Sequence, residues 1–164
     1  PSIAYMPQGL GRNLYPSLSV VENIDFSARL FGLEKAERLT RIGRLLTATG
    51  LDPFPDRPAG QLSGGMKQKL SLCAALVHDP DLLILDEPTI GLDPNQIRHA
   101  RELIKNLAHK RTVLISTHIL SEVELICSRV VVIAKGKIRA SDTAENLLRN
   151  HRAAGVQPSC VGRE

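Results

Sequence analysis

Three short apolar runs punctuate the chain: Ser2–Met6, Leu82–Leu85 and Thr112–Ser116. Each is too short for a helix of ordinary length and reads as a strand. Leu82-Leu83-Ile84-Leu85 is apolar at every position, the pattern of a parallel-sheet strand covered on both faces. Between the runs the apolar spacing turns helical. Ser19-Val20-Val21-Glu22 has the form of a capping box and predicts a helix from about Val20 to Phe31, stopped by Gly32. A second helix is expected from about Lys35 to Ala48, with Leu39, Ile42 and Leu46 on its apolar face and Gly50 at its end. Pro53, Pro55 and Pro58 mark an extended connection. Ser63 is a good N-cap for a helix reaching His78, whose buried stripe reads as Met66, Leu70, Cys73, Ala74 and Val77. Asp93-Pro94 opens a further helix to about His109, with Ile97, Ala100, Ile104 and Leu107 toward the core. A short helix over Ile119–Cys127 follows. Val130–Ile133, a Lys135-Gly136 turn and Lys137–Ala140 read as a hairpin. Thr143 caps a last helix to about Asn150, and His151–Glu164 reads as tail or linker. Strands separated by helices predict an α/β domain over 1–150, with a parallel sheet, helices on both faces and an inserted helical layer at about 17–60.

Composition narrows the functional classes. The net charge is +4, but basic and acidic residues are interleaved, no basic stripe carries aromatics, and Trp is absent. That argues against direct DNA binding. Cys73, Cys127 and Cys160 have no metal-ligand spacing and read as reduced thiols of a cytosolic protein. No apolar run approaches the ~18 residues of a membrane span. The sequence opens at Pro1, directly on a strand, so the N-terminal part of the domain is expected to be missing.

Candidate chemistry sits where strands end. Parallel α/β sheets bind ligands beyond the carboxyl ends of their strands. Asp86 and Glu87 follow the central run at that end. One carboxylate there can hold Mg²⁺ and its neighbour can orient a water for attack on a phosphoryl group. A solvated strand end is the other reading of the pair. Gln8 follows the first strand and His118 the third; taken alone, Gln8 reads as a polar loop residue and His118 as a structural histidine, and it is their place at strand ends that makes them candidates to contact Mg²⁺ or water and a terminal phosphate. At Leu62-Ser63-Gly64-Gly65-Met66 the glycines leave the helix start open, so backbone N–H groups and the helix dipole favour an anion. A plain Ser-Gly helix start has the same residues. Asp93 is a cap, with or without a further role.

The order Gln8, Leu62-Ser63-Gly64-Gly65-Met66, Leu82-to-Pro88, Gly91-Leu92-Asp93 and His118 resembles the ATP-binding cassette of ABC proteins, from about Ile3 to Asn150. The resemblance implies a P-loop NTPase-like fold with an α-helical subdomain, and ATP with Mg²⁺ as cofactors. Gln8 resembles the Q-loop glutamine that contacts Mg²⁺ and water and couples to a membrane partner. Leu62, Ser63, Gly64, Gly65 and Met66 resemble the signature loop, with Met66 in place of the usual glutamine. Asp86 matches the Walker B aspartate on Mg²⁺, and Glu87 the catalytic glutamate. Asp93 lies in the equivalent of the D-loop, and His118 resembles the switch histidine on the γ-phosphate. No Gly-x-x-x-x-Gly-Lys-Ser/Thr occurs. That loop supplies the nest for the β- and γ-phosphates, so these residues alone are expected to bind ATP weakly and to be inactive. The missing part carries a strand in the family fold, so apolar positions on neighbouring strands should be left uncovered.

Pro88-Thr89-Ile90-Gly91-Leu92-Asp93-Pro94 and Ser116-Thr117-His118-Ile119-Leu120-Ser121-Glu122 are most similar to ABC-2-type exporters. This implies a transporter ATPase at the inner face of the cell membrane, paired with a second cassette and a membrane permease. Ala4-Tyr5-Met6-Pro7-Gln8-Gly9-Leu10 and Asp56-Arg57-Pro58-Ala59-Gly60 resemble instead a bacterial ribosome-associated ABC ATPase, which would make the ribosome the partner. A third reading is an inactive remnant that only dimerises. The short span from Gln8 to Ser63 leaves no room for the coiled-coil arms of chromosome-structuring relatives.

Overall fold

Strands β1 (Ile3–Met6), β2 (Leu82–Asp86) and β3 (Thr112–Ser116) pair in parallel in the order β1-β2-β3. The computed structural model describes residues 2–153, which fall into two compact units divided between His118 and Ile119. Between β1 and β2 lie α1 (Val20–Leu30), α2 (Lys35–Thr49), a 3₁₀ turn (Ala59–Gln61) and α3 (Gly64–Leu76); α4 (Pro94–Ala108) joins β2 to β3. The expected α/β class with a parallel sheet is therefore found.

Side chains alternate across the strands, and among the described residues only one face of the sheet is closed. Ala4, Met6, Leu83 and Leu85 are buried. On the other face Ile3 is 52% exposed, Tyr5 55% and Leu114 56%, while Leu82 and Ile84 are half-buried. The all-apolar run at 82–85 predicts cover on both faces, but among the described residues cover comes from one side. Such a run is apolar on both faces and does not itself say which neighbour closes each. Each large apolar side chain left in water forgoes about 1.5–3 kcal/mol. The isolated 164-residue chain is accordingly expected to aggregate on heating. A sharp, reversible melt as a monomer would contradict this.

The helical core is built by α1, α2 and α3. Val20, Ile24, Ala28, Ile42, Leu46, Leu70, Cys73, Ala74 and Val77 form one buried cluster with Leu14, Leu51, Ala59 and Leu62. The capping box at Ser19 and Glu22 is present, and Gly50 takes the left-handed conformation that ends α2. Leu39 is a correction: it is 59% exposed, and Ile42, Leu46 and Thr49 are the residues α2 buries. Leu39 is on the same face but nearer the start of α2, before the turns that reach the buried cluster. In α3 burial runs all round from Leu70 to Leu76 rather than along one stripe, because α1 and α2 pack on it while it also packs on β1. Met66 is only partly buried against this core. In α4 only Ile104 is buried; Ile97, Ala100 and Leu107 are half-exposed. The Cys73 thiol is buried, and burial pushes its pKa up to about 11.

Two polar devices tie the helical layer. Asn23, buried in α1, accepts from Tyr15 N (2.8 Å) and donates to the carbonyls of Tyr15, Leu18 and Ser19. It thereby holds the loop that follows β1. Asp25 accepts from Arg38 Nε (2.7 Å) and Arg29 Nε (2.6 Å), joining α1 to α2. Partial burial raises the Asp25 pKa, but the hydrogen bonds from Arg38 and Arg29 and their charges outweigh it, and the net shift is downward. A depressed folded-state pKa stabilises the fold above the unfolded value and is lost as pH falls through the folded one. Asp25→Asn should therefore flatten the loss of stability with acid below about pH 4, as read from urea midpoints across pH. An unchanged pH slope would show that the clamp contributes nothing.

The second unit begins at Ile119. It holds α5 (Leu120–Ile126), β4 (Val130–Ala134), β5 (Lys137–Asp142) and α6 (Ala144–Ala153). Strands β4 and β5 form an antiparallel hairpin with a register shift between Val132 and Ile133. Its turn residues Lys135 and Gly136 both have positive φ, the requirement of a two-residue type I′ loop. Thr143 Oγ1 accepts from Asn146 N at 3.2 Å, as expected of a cap. Helix α6 continues to Ala153, so His151 belongs to a helix rather than a tail. Residues 154–164, with Cys160, lie outside the described residues.

Candidate functional site

All three strands run the same way, so their carboxyl ends share one edge. Met6 is opposite Leu85, and Asp86 is opposite Ser116. That register brings Gln8, Asp86, Glu87 and His118 to the same edge of the sheet. Helix α3 runs antiparallel to the strand it feeds, which returns its N-terminus, with Ser63 and Gly64, to this end.

The tightest contact is between the second and third strand ends. His118 Nδ1 donates to Glu87 Oε1 at 2.6 Å, with Glu87 13% exposed and His118 71%. Glu87 N donates to the Ser116 carbonyl at 2.9 Å, and Ile90 N to the Glu87 carbonyl at 3.2 Å. Glu87 has φ of 49°. A non-glycine residue with positive φ costs of order 1–3 kcal/mol and persists only where the surroundings hold it. Here the backbone bonds on both sides do so. The second carboxylate oxygen, Oε2, is enclosed and meets no hydrogen-bond donor among the described residues.

Asp86 is gripped differently. Its Oδ1 accepts from the Ser116 hydroxyl, and its Oδ2 from the Tyr5 hydroxyl at 3.2 Å. Partial desolvation first, then the hydrogen bond to Asp86 and its negative charge, raises the Tyr5 pKa. No group of three His, Cys, Asp or Glu side chains able to hold a metal occurs among the described residues. The donor set here suits Mg²⁺, which keeps several waters and binds through one or two carboxylates plus phosphate oxygens. Gln8 is exposed at the same edge.

Ser63 and Asp93 both act as caps. Ser63 Oγ accepts from Met66 N at 3.4 Å. Asp93 Oδ1 accepts from Gln96 N at 2.9 Å, and Gln96 Oε1 accepts from Asp93 N at 3.4 Å. The two helix starts touch. A Cβ on Gly65 would come within 2.6 Å of Gln96 Cδ, and one on Gly64 within 3.1 Å of Leu10 Cδ1 and 3.8 Å of the Gly91 carbonyl. Gln68 Nε2 donates to the Pro88 carbonyl, tying α3 to the turn after Glu87. Gly65→Ala is therefore expected to displace Gln96 and undo half the capping box of α4, costing about 0.5–2 kcal/mol. A urea midpoint unchanged from the parent would contradict this.

The sequence reading missed Tyr5, Ser116, Gln68 and Gln96. Tyr5 and Ser116 lie within apolar runs, and a hydroxyl in a strand signals nothing until the register places it opposite an acid. Gln96 was visible in principle, three residues after Asp93, as the second half of a capping box.

This fold and this edge define an ATP-binding cassette, and comparison with known proteins agrees. The family model described as ABC transporter matches residues 1–90, more than half the chain, and the chain belongs to that family. It is 36% identical over 141 residues to the ABC transporter ATP-binding protein NatA of Bacillus subtilis (strain 168), covering 85% of this chain and 57% of that protein. It is 41% identical over 138 residues to the Nod factor export ATP-binding protein I of Cupriavidus metallidurans, covering 83% of this chain and 45% of that protein. The solved structure of CbiO1 from Clostridium perfringens, described as part of the ABC transporter complex cbiONQ, superposes with a TM-score of 0.82 at 30% identity. That match covers 93% of this chain and 61% of the CbiO1 chain. The chain thus spans about half the length of the curated relatives it matches.

Proposed function

We propose that the chain is part of an ATP-hydrolysing subunit of an ABC transporter, driving export through a membrane permease. The observation that supports it most is the Glu87–His118 contact beside Asp86, at the edge where a parallel sheet binds ligands. In this reading Asp86 holds Mg²⁺, and Gln8 adds a carbonyl ligand to the ion or its water. Glu87, with Oε1 held by His118, orients the attacking water with its carboxylate and receives its proton. His118 contacts the terminal phosphate. Mg²⁺, when bound, offsets charge that develops on the phosphoryl oxygens. Leu62, Ser63, Gly64, Gly65 and Met66 present the start of α3 to the nucleotide of a second cassette, and Asp93 lies at that dimer contact.

Export as the direction draws on the relative whose name carries it, the Nod factor export protein. No helix among the described residues is long and apolar enough to cross a membrane, so transport would require a separate permease segment, with the ATPase at the inner face of the membrane. Fractionation of a tagged protein tests the partner. The proposal expects it with the membranes, with Mg²⁺-dependent ATPase activity in the same fraction. Co-sedimentation with ribosomes would replace the permease by the ribosome. Absence of ATPase from every fraction would favour the inactive remnant.

A further inference from the structure

We propose that Tyr5 and Ser116 are positioning residues for the cation held by Asp86, each fixing one of its two carboxylate oxygens. The inference rests on the reading of Asp86 as the Mg²⁺ carboxylate and adds the groups that orient it.

The arrangement follows from register. Tyr5 is paired with Ile84, which is paired in turn with Leu114, and Asp86 is paired with Ser116. Strand side chains alternate with a period of two, so Tyr5, Asp86 and Ser116 emerge on one face of the sheet. Ser116 is directly opposite Asp86 and within reach of Oδ1. Tyr5 is one diagonal step away, a distance an aromatic side chain spans, and its hydroxyl meets Oδ2 at 3.2 Å. Rotation of the carboxylate about its Cβ–Cγ bond would break both contacts together.

The chemistry of the two donors matters. An ionised carboxylate has about four acceptor sites; two hydroxyls leave the others for a cation or its waters. Both hydroxyls are neutral, so they orient the group without cancelling the charge that attracts Mg²⁺. A Lys or Arg in either place would repel the ion. The site supplies few protein ligands to a metal that demands near-ideal octahedral geometry, so the direction of this one carboxylate carries much of the binding. Ser116 has a second task. Its carbonyl accepts from Glu87 N, so one residue on β3 sets the Asp86 side chain and the Glu87 backbone.

Hydrogen-bond partners of metal ligands are typically worth 10–100-fold in metal affinity. The test is Mn²⁺ binding, followed by electron paramagnetic resonance, in the ATPase assembled with its partner cassette and holding nucleotide. Tyr5→Phe and Ser116→Ala should each weaken Mn²⁺ by about tenfold, and the double variant by up to about 100-fold. Nucleotide affinity without metal should be unchanged, which reports an intact fold. Ser116→Thr, which keeps the hydroxyl, should retain affinity near that of the parent. Asp86→Asn separates the two levels of the argument. If it abolishes Mn²⁺ binding while Tyr5→Phe and Ser116→Ala stay within twofold of the parent, the positioning role is wrong and the reading of Asp86 stands. If Asp86→Asn also binds Mn²⁺ normally, both fall.

Discussion

In the complete cassette assembled with its partner, replacing Glu87 by glutamine is expected to slow ATP hydrolysis by about 10²–10⁴-fold while leaving nucleotide binding intact, the range for loss of a positioned general base. The substitution keeps the shape of the side chain and its contact with His118, since the amide oxygen still accepts from Nδ1. It removes the negative charge and the ability to take a proton from water. The backbone at residue 87, strained but pinned by Ser116, does not depend on the side chain, so the turn should survive. Single-turnover hydrolysis and nucleotide binding, measured on one preparation, separate the two effects. An unchanged turnover rate would remove Glu87 from the mechanism.

His118→Ala should cost about 10²–10³-fold in turnover, the size seen when one preorganised donor to a developing oxyanion is removed. Two effects combine in it. The imidazole no longer reaches the terminal phosphate, and Glu87 Oε1 loses the partner that holds it at 2.6 Å. Because the two side chains act as a unit, their losses should not add. The Glu87→Gln, His118→Ala double variant is expected to be scarcely slower than the worse single variant. Full multiplication of the two losses would show that the residues work independently and that their contact is incidental.

Much of this geometry was legible before any coordinates. The three apolar runs became the three strands because each is too short and too continuous for an amphipathic helix. Ser19, Ser63, Asp93 and Thr143 cap the helices they were expected to cap, since capping depends on residues within one turn. Legibility failed where burial is decided by distant neighbours. Leu39 fits the apolar spacing of α2, yet no partner covers it. Leu82 and Ile84 are as apolar as Leu83 and Leu85, and only the side on which α3 packs distinguishes them. The site divides the same way. Asp86, Glu87 and His118 could be found because strand ends and acids are local features. Tyr5 and Ser116 could not, because their value depends on a register that joins segments some 80 and 30 residues apart.

On this proposal the carboxyl edge of the β1-β2-β3 sheet is the seat of Mg²⁺-dependent ATP hydrolysis. Locating the ion tests it most directly: Mn²⁺ in place of Mg²⁺, with ATP, in crystals of the assembled Glu87→Gln protein, found by its anomalous scattering. A single Mn²⁺ peak is expected at the end of β2, bound to the Asp86 carboxylate directly or through one water, with the terminal phosphate on the His118 side. A Mn²⁺–ATP complex seated elsewhere, with Asp86 still bonded only to Tyr5 and Ser116, would contradict it.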